Sequence, residues 1–491
     1  MENAAPLAPG DCRTRVSGPE TERLRPGEHR LLDVVVENRG PVPLTSNDPQ
    51  LVFLASRWFQ SSGTLVGDGP RTRLVPPLRP AEARRCRVRI VAPEAPGDYI
   101  VRITALQELV GWFDDFDRDN GWSARVRVEP GPGGPAVPDD LPQLAAMAAE
   151  VAAGPEALRP SAFWEDFSGL HLALLRDEGF TRFKRSINQT YFQFMVLSPR
   201  DEQFRAVLRS WLAHPHLDVL RARLAEPVQL RTDLLPGLRT RSERFWYARY
   251  VAALWEEVSR RDRHRILEQL EEPRLGAPIA VRHRGRFISQ DLCNSALELV
   301  AILDGLEPAG LPVGARVIEV GGGYGRVAWA ALTVRPDLRV VLVDIPPALA
   351  VAERYLTTLF PHLPTLRFRR FEDPREIEDA LRSAQLAFLT PNQLERLEPL
   401  EADLAINISS LHEMRPDQIE RQLELIDRQC RGHFYTKQWE AWHNVIDDVT
   451  IRRQDYPYPS RWRPVFERRH PVQRGFFEAL LATRSEPDRG A

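Results

Sequence analysis

The sequence predicts a chain of three parts: an all-β sandwich at the N-terminus, a helical cap, and a C-terminal α/β domain of Rossmann-like design. Three observations carry that reading. Residues 10–130 hold short runs of alternating apolar and polar residues between turn signals, residues 141–305 hold apolar residues at helical spacing, and residues 306–485 alternate strand-like with helix-like segments around a glycine-rich turn. A length of 491 residues accommodates three such parts and at least one large core.

In the first part the strand candidates are HRLLDVVVEN, PQLVFLASRWF, ARRCRVRIV, GDYIVRITAL and WSARVRVEP, separated by Arg39-Gly40-Pro41, Gly67-Asp68-Gly69-Pro70 and Pro96-Gly97. Cys86, Val88 and Ile90 alternate with Arg85, Arg87 and Arg89, the period of two expected of a half-buried antiparallel strand. Several short strands at this spacing predict a sandwich of immunoglobulin-like type. Pro and Gly dominate EPGPGGPAVPDDLP at 129–142, which supports neither helix nor ladder and reads as a linker.

The middle part contains FWEDFSGLHLALL, INQTYFQFMVL, ERFWYARYVAALWEEV and LCNSALELVAILDGL, all read as helical. Phe245, Ala248, Val251, Ala252 and Trp255 are placed on one apolar face. From Ala315 the order becomes strand (ARVIEV), glycine turn (GGGYG), helix (RVAWAALTV) and strand (LRVVLVDIP), the signature of βαβ units in a parallel sheet. Further strands are expected at LRFRRF, QLAFLT, DLAINIS and HFYTKQ, with WRPVFERR and GFFEALLAT closing the domain.

Composition narrows the function classes. Lys+Arg total 66 against Asp+Glu 68, a formal charge of −2, so the overall positive excess of a nucleic-acid binder is absent and no nucleic-acid partner is expected. Cys12, Cys86, Cys293 and Cys430 are far apart and form no C-x-x-C pair, which argues against a zinc knuckle or a disulfide framework and fits a reducing cytoplasm. The start, MENAAPLAPGDCRTR, lacks the positive charge and apolar core of a signal peptide, and no later apolar run approaches about 20 residues, so neither export by that route nor a membrane span is expected.

The chemistry centres on Glu319-Val-Gly321-Gly-Gly323-Tyr-Gly325, where a buried strand runs into a glycine turn and then a helix. Such a turn lets backbone approach a ligand closely at the carboxyl end of a parallel sheet. The dinucleotide fingerprint G-x-G-x-x-G requires glycine at 326, where Arg326 stands, which disfavours a nicotinamide-linked oxidoreductase. E-x-G-x-G-x-G matches instead and resembles motif I of the class I S-adenosylmethionine-dependent methyltransferases. The next strand ends in Asp344, an acid placed to accept hydrogen bonds from both ribose hydroxyls of an adenosyl group.

A third block, Asp403-Leu-Ala-Ile-Asn407-Ile-Ser409-Ser410-Leu-His412-Glu413-Met414, resembles one family specifically, the sugar O-methyltransferases, whose pattern "iNisSlhEM" it follows. Gly321–Arg326, Val343–Pro347, Ala352–Leu356 and Pro391-Asn392-Gln393 match further segments of that family, as do Phe183-Lys184, Asn188, Trp462 and Phe476-Phe477-Glu478, so the resemblance covers about residues 160–485. It implies S-adenosyl-L-methionine as cofactor, held by Glu319, Gly321, Gly323, Tyr324, Gly325, Asp344, Ile345, Leu389 and Asn407, and methyl transfer to a hydroxyl of a nucleotide-linked sugar or glycan. Adenine contacts are expected around Leu389 and Asn392, and Arg286, Ser289 and Gln290 are candidates for the cofactor carboxylate.

A hydroxyl is a poor nucleophile until its proton is removed, and histidine most often does this near neutral pH. His412 is therefore the expected general base, with Glu413 as the alternative base or as its orienting partner. His433 and His443 are weaker candidates. Asp447 and Asp448 beside His443 could hold a divalent metal, but their spacing is not diagnostic and no metal is expected. The N-terminal segment PGDYIVRITALQELVGWFDD resembles β-sandwich modules attached to bacterial glycosyltransferases and O-antigen exporters, which makes Trp58, Trp112, Phe113 and Trp122 candidate sugar-stacking residues, although each aromatic taken alone is more often a core residue. The competing function is a non-catalytic glycan-binding protein with a vestigial methyltransferase domain. An intact set of Glu319, the three glycines and Asp344 favours the enzyme.

Overall fold

The computed structural model describes residues 6–484 except 20–21, 47–49, 75, 94, 109, 130–140, 142, 190–195, 197, 213–228, 232–240 and 445. The chain divides into two compact units, residues 1–136 with 169–177 and residues 137–168 with 178–491. Most of the Pro/Gly segment expected as a linker lies outside the described residues. The helical region and the α/β region, read from the sequence as separate parts, fall into one unit, apart from the stretch 169–177.

The first unit contains β1 (Thr14–Ser17), β2 (Glu22–Leu24), β3 (His29–Asn38), β4 (Val52–Gln60), β5 (Leu65–Asp68), β6 (Thr72–Arg73), β7 (Ala83–Val91), β8 (Gly97–Gln107), β9 (Gly111–Trp112) and β10 (Trp122–Val128). One sheet runs β1-β3-β7 and the other β2-β10-β8-β4-β5, with β6 on β4 and β9 on β8. The five strands read from the sequence are β3, β4, β7, β8 and β10. Alternate residues of both sheets, among them Val34, Val36, Val88, Ile90, Leu54, Val101 and Ile103, share one core.

That core corrects the expectation about sugar-stacking aromatics. Trp58 and Phe113 are buried, at 3% and 0% exposure, and offer no face to a ligand. The Trp112 ring lies beneath the guanidinium groups of Arg57 and Arg71. Trp122 is half-buried, packed against the same core.

In the second unit, β11 (Gln229–Arg231), β12 (Ala280–His283) and β13 (Arg286–Ile288) form a small antiparallel sheet. The main sheet is built from β14 (Arg316–Val320), β15 (Arg339–Val343), β16 (Thr365–Leu366), β17 (Leu386–Leu389), β18 (Ala402–Ile408) and β19 (Cys430–Trp439). A hairpin, β20 (Ala441–Asn444) and β21 (Val449–Arg452), precedes the last two sheet strands, β22 (Arg463–Arg469) and β23 (Phe476–Ala482). Their order is β16-β17-β15-β14-β18-β19-β23-β22, parallel except for β23, which is antiparallel to both its neighbours. This is a Rossmann-like sheet covered on both faces, so β14 and β15 are apolar almost throughout instead of alternating.

Three local expectations are corrected. Phe245 is 49% exposed with the Arg249 guanidinium over its ring, because the buried stripe of the helix Arg241–Arg261 runs through Ala248, Val251, Ala252 and Trp255 and does not reach the first turn. The run LRFRRF forms strand only at its start, since the Phe368 amide is captured by the Glu353 carboxylate. INQTYFQFMVL is a single 3-10 turn at Ile187–Gln189, and most of the remainder lies outside the described residues. All four cysteines are buried and no disulfide joins them. Among the described residues no helix is long and apolar enough to cross a membrane.

Candidate active site

The chain leaves β14 towards β15 and β17 on one side and returns to β18 and β19 on the other, so the strand order reverses between β14 and β18. At such a switch point the loops diverge beyond the carboxyl ends of the strands and leave a crevice. The sequence-predicted residues from Gly321 to Gly325, Asp344, and Asn407 to Glu413 all lie at these strand ends.

The glycine turn is enforced by space as well as by dihedral angle. Gly321 has φ 70°, and a Cβ there would stand 2.2 Å from the Ser410 Oγ. Gly323 has φ 58° with open space where a Cβ would lie, so its backbone is bare towards the crevice. The Asp344 carboxylate receives the Gly323 N–H and the Ile345 N–H, each at 2.7 Å, one on each oxygen. Both oxygens keep acceptor capacity for a further donor. Shielding from water pushes this carboxyl up to about 7.

Glu319 is buried with its side chain against Gly322 of the glycine turn. It accepts the Ala328 N–H in the first turn of the helix Arg326–Val334, and burial pushes it up to about 8. Arg326, the first residue of that helix, donates to both oxygens of the buried Glu298 at 2.6 and 3.0 Å, and Lys437 reaches the same carboxylate at 2.7 Å. Burial opposes the Glu298 charge, yet the two cations hold its pKa below the ordinary value. Tyr324 donates to Asp291 at 3.0 Å, and Asn188 donates to the same oxygen at 2.6 Å, so the glycine turn is tied to the helical region. Lys184 completes this tie by donating to Glu272 at 2.7 Å and to the Tyr355 hydroxyl at 2.9 Å.

Across the switch point, Asn407 is fully buried. Its amide donates to the Val320 carbonyl at 2.9 Å, while its side-chain oxygen accepts from the Leu411 N–H and the Gln438 amide. His412, also fully buried, has Nδ1 2.9 Å from the Gln438 Oε1 and stands edge-on to Trp442. Among the described residues its Nε2 has no hydrogen-bond partner, and it lies 3.7 Å from the Glu413 carboxylate, beyond hydrogen-bonding distance. Burial pushes His412 down to about 4 and Glu413 well above the usual carboxylate range, with the nearby Asp344 charge adding to the latter. The histidine is therefore neutral near neutral pH, and burial favours the uncharged form of Glu413.

Leu389 is buried in the core at the end of β17, and Ile345 is half-buried beside Asp344. Asn392 spends its amide on the Glu150 carbonyl and carboxylate. Ser289 caps the helix Gln290–Gly305 and donates to Glu272, and Arg286 reaches the Leu270 carbonyl. His433 lies near the start of β19, at the opposite end from the crevice, and His443 sits exposed on the hairpin against Thr450.

Asp447 accepts the N–H groups of Ala162 and Phe163, capping a helix instead of joining His443 around an ion. The metal-like grouping found among the described residues is His264, Asp304 and Glu307, where Arg263 already pairs with both acids. Gln438 and Trp442 were missed by sequence reasoning. The available signal was a glutamine inside the otherwise buried strand FYTKQW.

No protein-family model matches the chain. A 4-O-methyltransferase 1 of Phanerochaete chrysosporium is 45% identical over 51 residues, 10% of this chain, and the chain spans 11% of that relative's length. Among solved structures, a mitomycin 7-O-methyltransferase shares 16% identity over 48% of this chain and 70% of its own, with a TM-score of 0.26. A SAM-dependent methyltransferase from Aquifex aeolicus shares 16% identity over 38% of this chain and 92% of its own, with a TM-score of 0.25. A 1,6-didemethyltoxoflavin-N1-methyltransferase from Burkholderia thailandensis, with bound S-adenosylhomocysteine, shares 17% identity over 40% of this chain and 79% of its own, with a TM-score of 0.27.

The raised Glu319 pKa makes a stability prediction. Between an ordinary carboxyl pKa of about 4.5 and about 8 the native state binds more protons at this site than the unfolded chain, so stability falls as pH rises through that window. Glu319→Gln keeps an acceptor for the Ala328 N–H without titrating. Thermal melts should show the variant gaining on the parent between pH 6 and pH 9; parallel curves would mean that Glu319 is ionised throughout.

Proposed function

We propose that this chain is an S-adenosylmethionine-dependent O-methyltransferase acting on a sugar hydroxyl, in a nucleotide-linked sugar or a glycan. The observation that carries the reading is the pairing, across one switch point, of a bare glycine turn braced by Asp344 with a buried histidine nitrogen that has no partner among the described residues. The matched 4-O-methyltransferase segment supports O-methylation, and the family resemblance of the Asn407–Met414 block supports a sugar acceptor. The two-sheet first unit is read as an immunoglobulin-like sandwich. The burial of Trp58 and Phe113 removes support from the purely glycan-binding alternative.

The residues fit the cofactor. Gly323 leaves room for close approach, Asp344 offers two carboxylate oxygens to vicinal hydroxyls, and Tyr324 and Gly325 lead into the helix beneath. When bound, the cofactor supplies an electrophilic methyl group on a sulfonium, with a neutral thioether as leaving group. The acceptor hydroxyl loses its proton to His412 Nε2 as its oxygen bonds to the methyl carbon. Burial keeps that nitrogen unprotonated but makes it a weak base, so alignment of the acceptor supplies much of the rate. Glu413, whose uncharged form burial favours, stands beside it.

S-adenosylhomocysteine should raise the unfolding free energy by about 2.7 kcal/mol at a hundredfold excess over Kd. Thermal-shift titration tests this; no shift, or a shift with NAD instead, would remove the methyltransferase reading. Asp344→Asn should weaken binding roughly tenfold or more, the scale of a hydrogen bond to a charged group.

The two shifted groups predict a split pH profile. Asp344 must be ionised to accept fully, so the cofactor KM should rise as pH falls below about 7, while kcat at saturating cofactor holds to about pH 5 because His412 stays neutral. His412→Gln should lower kcat by roughly 10²–10⁴ with cofactor affinity nearly unchanged. Near-normal turnover in that variant together with an inactive Glu413→Gln would transfer the role of base to Glu413.

A further inference from the structure

If His412 takes the acceptor proton, Nε2 must carry the lone pair, and the network behind it determines which nitrogen does so. Gln438 lies on β19, fully buried. Its amide nitrogen donates to the Asn407 Oδ1 at 2.7 Å, the Thr436 Oγ1 at 2.9 Å and the Asn407 carbonyl at 3.3 Å. Its amide oxygen faces the His412 backbone N–H at 3.4 Å and His412 Nδ1 at 2.9 Å. The backbone N–H is a donor in every protonation state. Turning the amide over would set its NH₂ against that donor and its oxygen against two carbonyl oxygens, so this orientation is imposed by the surroundings. With an oxygen facing Nδ1, that nitrogen must hold the proton, which leaves the lone pair on Nε2.

We propose that Gln438 is a positioning residue that holds His412 in the Nδ1–H tautomer and so presents an unprotonated Nε2 to the acceptor hydroxyl. The ring of Trp442, edge-on to the imidazole with centroids 5.6 Å apart, packs against it. Among the described residues, Glu413 lies 3.7 Å from Nε2, and Asp344 and the buried Tyr456 are ionisable groups that interact with Glu413. Lys437, on the same strand, turns to Glu298. The inference rests on the methyltransferase reading for its catalytic half but not for the tautomer itself.

The test combines two readouts on the full chain. Long-range ¹H–¹⁵N spectra with ¹⁵N-labelled histidine report the His412 tautomer, assigned by loss of its signals in His412→Gln. Steady-state methyl transfer reports kcat and KM. The parent should show Nδ1–H. Gln438→Met should give mixed tautomers and a kcat roughly 10–100-fold lower, the usual scale for loss of a ligand's supporting partner, with cofactor KM unchanged. Gln438→Glu keeps an oxygen towards Nδ1 and adds charge, so it should retain the tautomer while moving the acidic limb of kcat to higher pH. If Gln438→Met fails to fold, that movement in Gln438→Glu decides alone. A parent Nε2–H tautomer, or a Gln438→Met variant with unchanged tautomer or kcat, would overturn the proposal. A parent with the Nδ1–H tautomer but no methyl transfer to any acceptor would overturn the functional reading and leave the orienting role of Gln438 standing.

Discussion

The bond from the Asn407 side chain to the Val320 carbonyl is the constraint on which the site depends. The ladder between β14 and β18 ends at Glu319 opposite Ile406, because the strands must part there for the chain to turn both ways. A buried carbonyl beyond the ladder would cost on the order of 1–3 kcal/mol if unpaired. Asn407 satisfies it, and the same side chain accepts from Leu411 and from Gln438. One amide thus fixes where the glycine turn begins, where the His412 segment begins, and how the glutamine behind His412 is oriented. The bond also brings Ser410 against Gly321, the contact that excludes any Cβ at that position.

Beneath the turn the chain uses charge in an unusual place. Its two lysines, Lys184 and Lys437, are both buried, each on a buried glutamate. Buried ion pairs add little net stability compared with apolar packing, but removing one partner leaves an uncompensated charge and is strongly destabilising. They therefore act as registers: Lys437 and Arg326 bring β19 and the helix Arg326–Val334 to Glu298, and Lys184 brings the helical region to Glu272 and Tyr355. The helical region is consequently joined to the α/β region by directional contacts, consistent with their falling in one compact unit.

Much of this was legible in the sequence wherever a feature was set by local spacing. The glycine turn, Asp344 at the end of β15, and the strands β14, β15, β17, β18 and β19 follow from apolar runs broken by glycine and acid. Charge state and side-chain direction were not legible, because they depend on burial. His412 was expected near neutral pKa, yet lies fully buried and is pushed down to about 4. Asp447 was weighed as a metal ligand and instead caps a helix distant in sequence. Trp58 and Phe113 were weighed as sugar-stacking residues, yet the register of β4 turns Trp58 inward and Phe113 is buried at the start of a short helix. Gln438 escaped notice because a polar residue in a buried strand signals a partner without saying which; its role is visible only once Asn407, Thr436 and His412 surround it.

On the proposed function, the crevice between β14 and β18 brings an electrophilic methyl group and a sugar hydroxyl together beside His412. The most direct measurement is incubation of the purified chain with S-adenosylmethionine carrying an isotopically labelled methyl group and a pool of nucleotide sugars and glycans, followed by mass spectrometry. The account predicts a labelled methyl ether on a sugar hydroxyl, formed in step with S-adenosylhomocysteine. Label on nitrogen or on a non-sugar acceptor would contradict the sugar assignment, and cofactor bound without label leaving it for any acceptor would contradict catalysis.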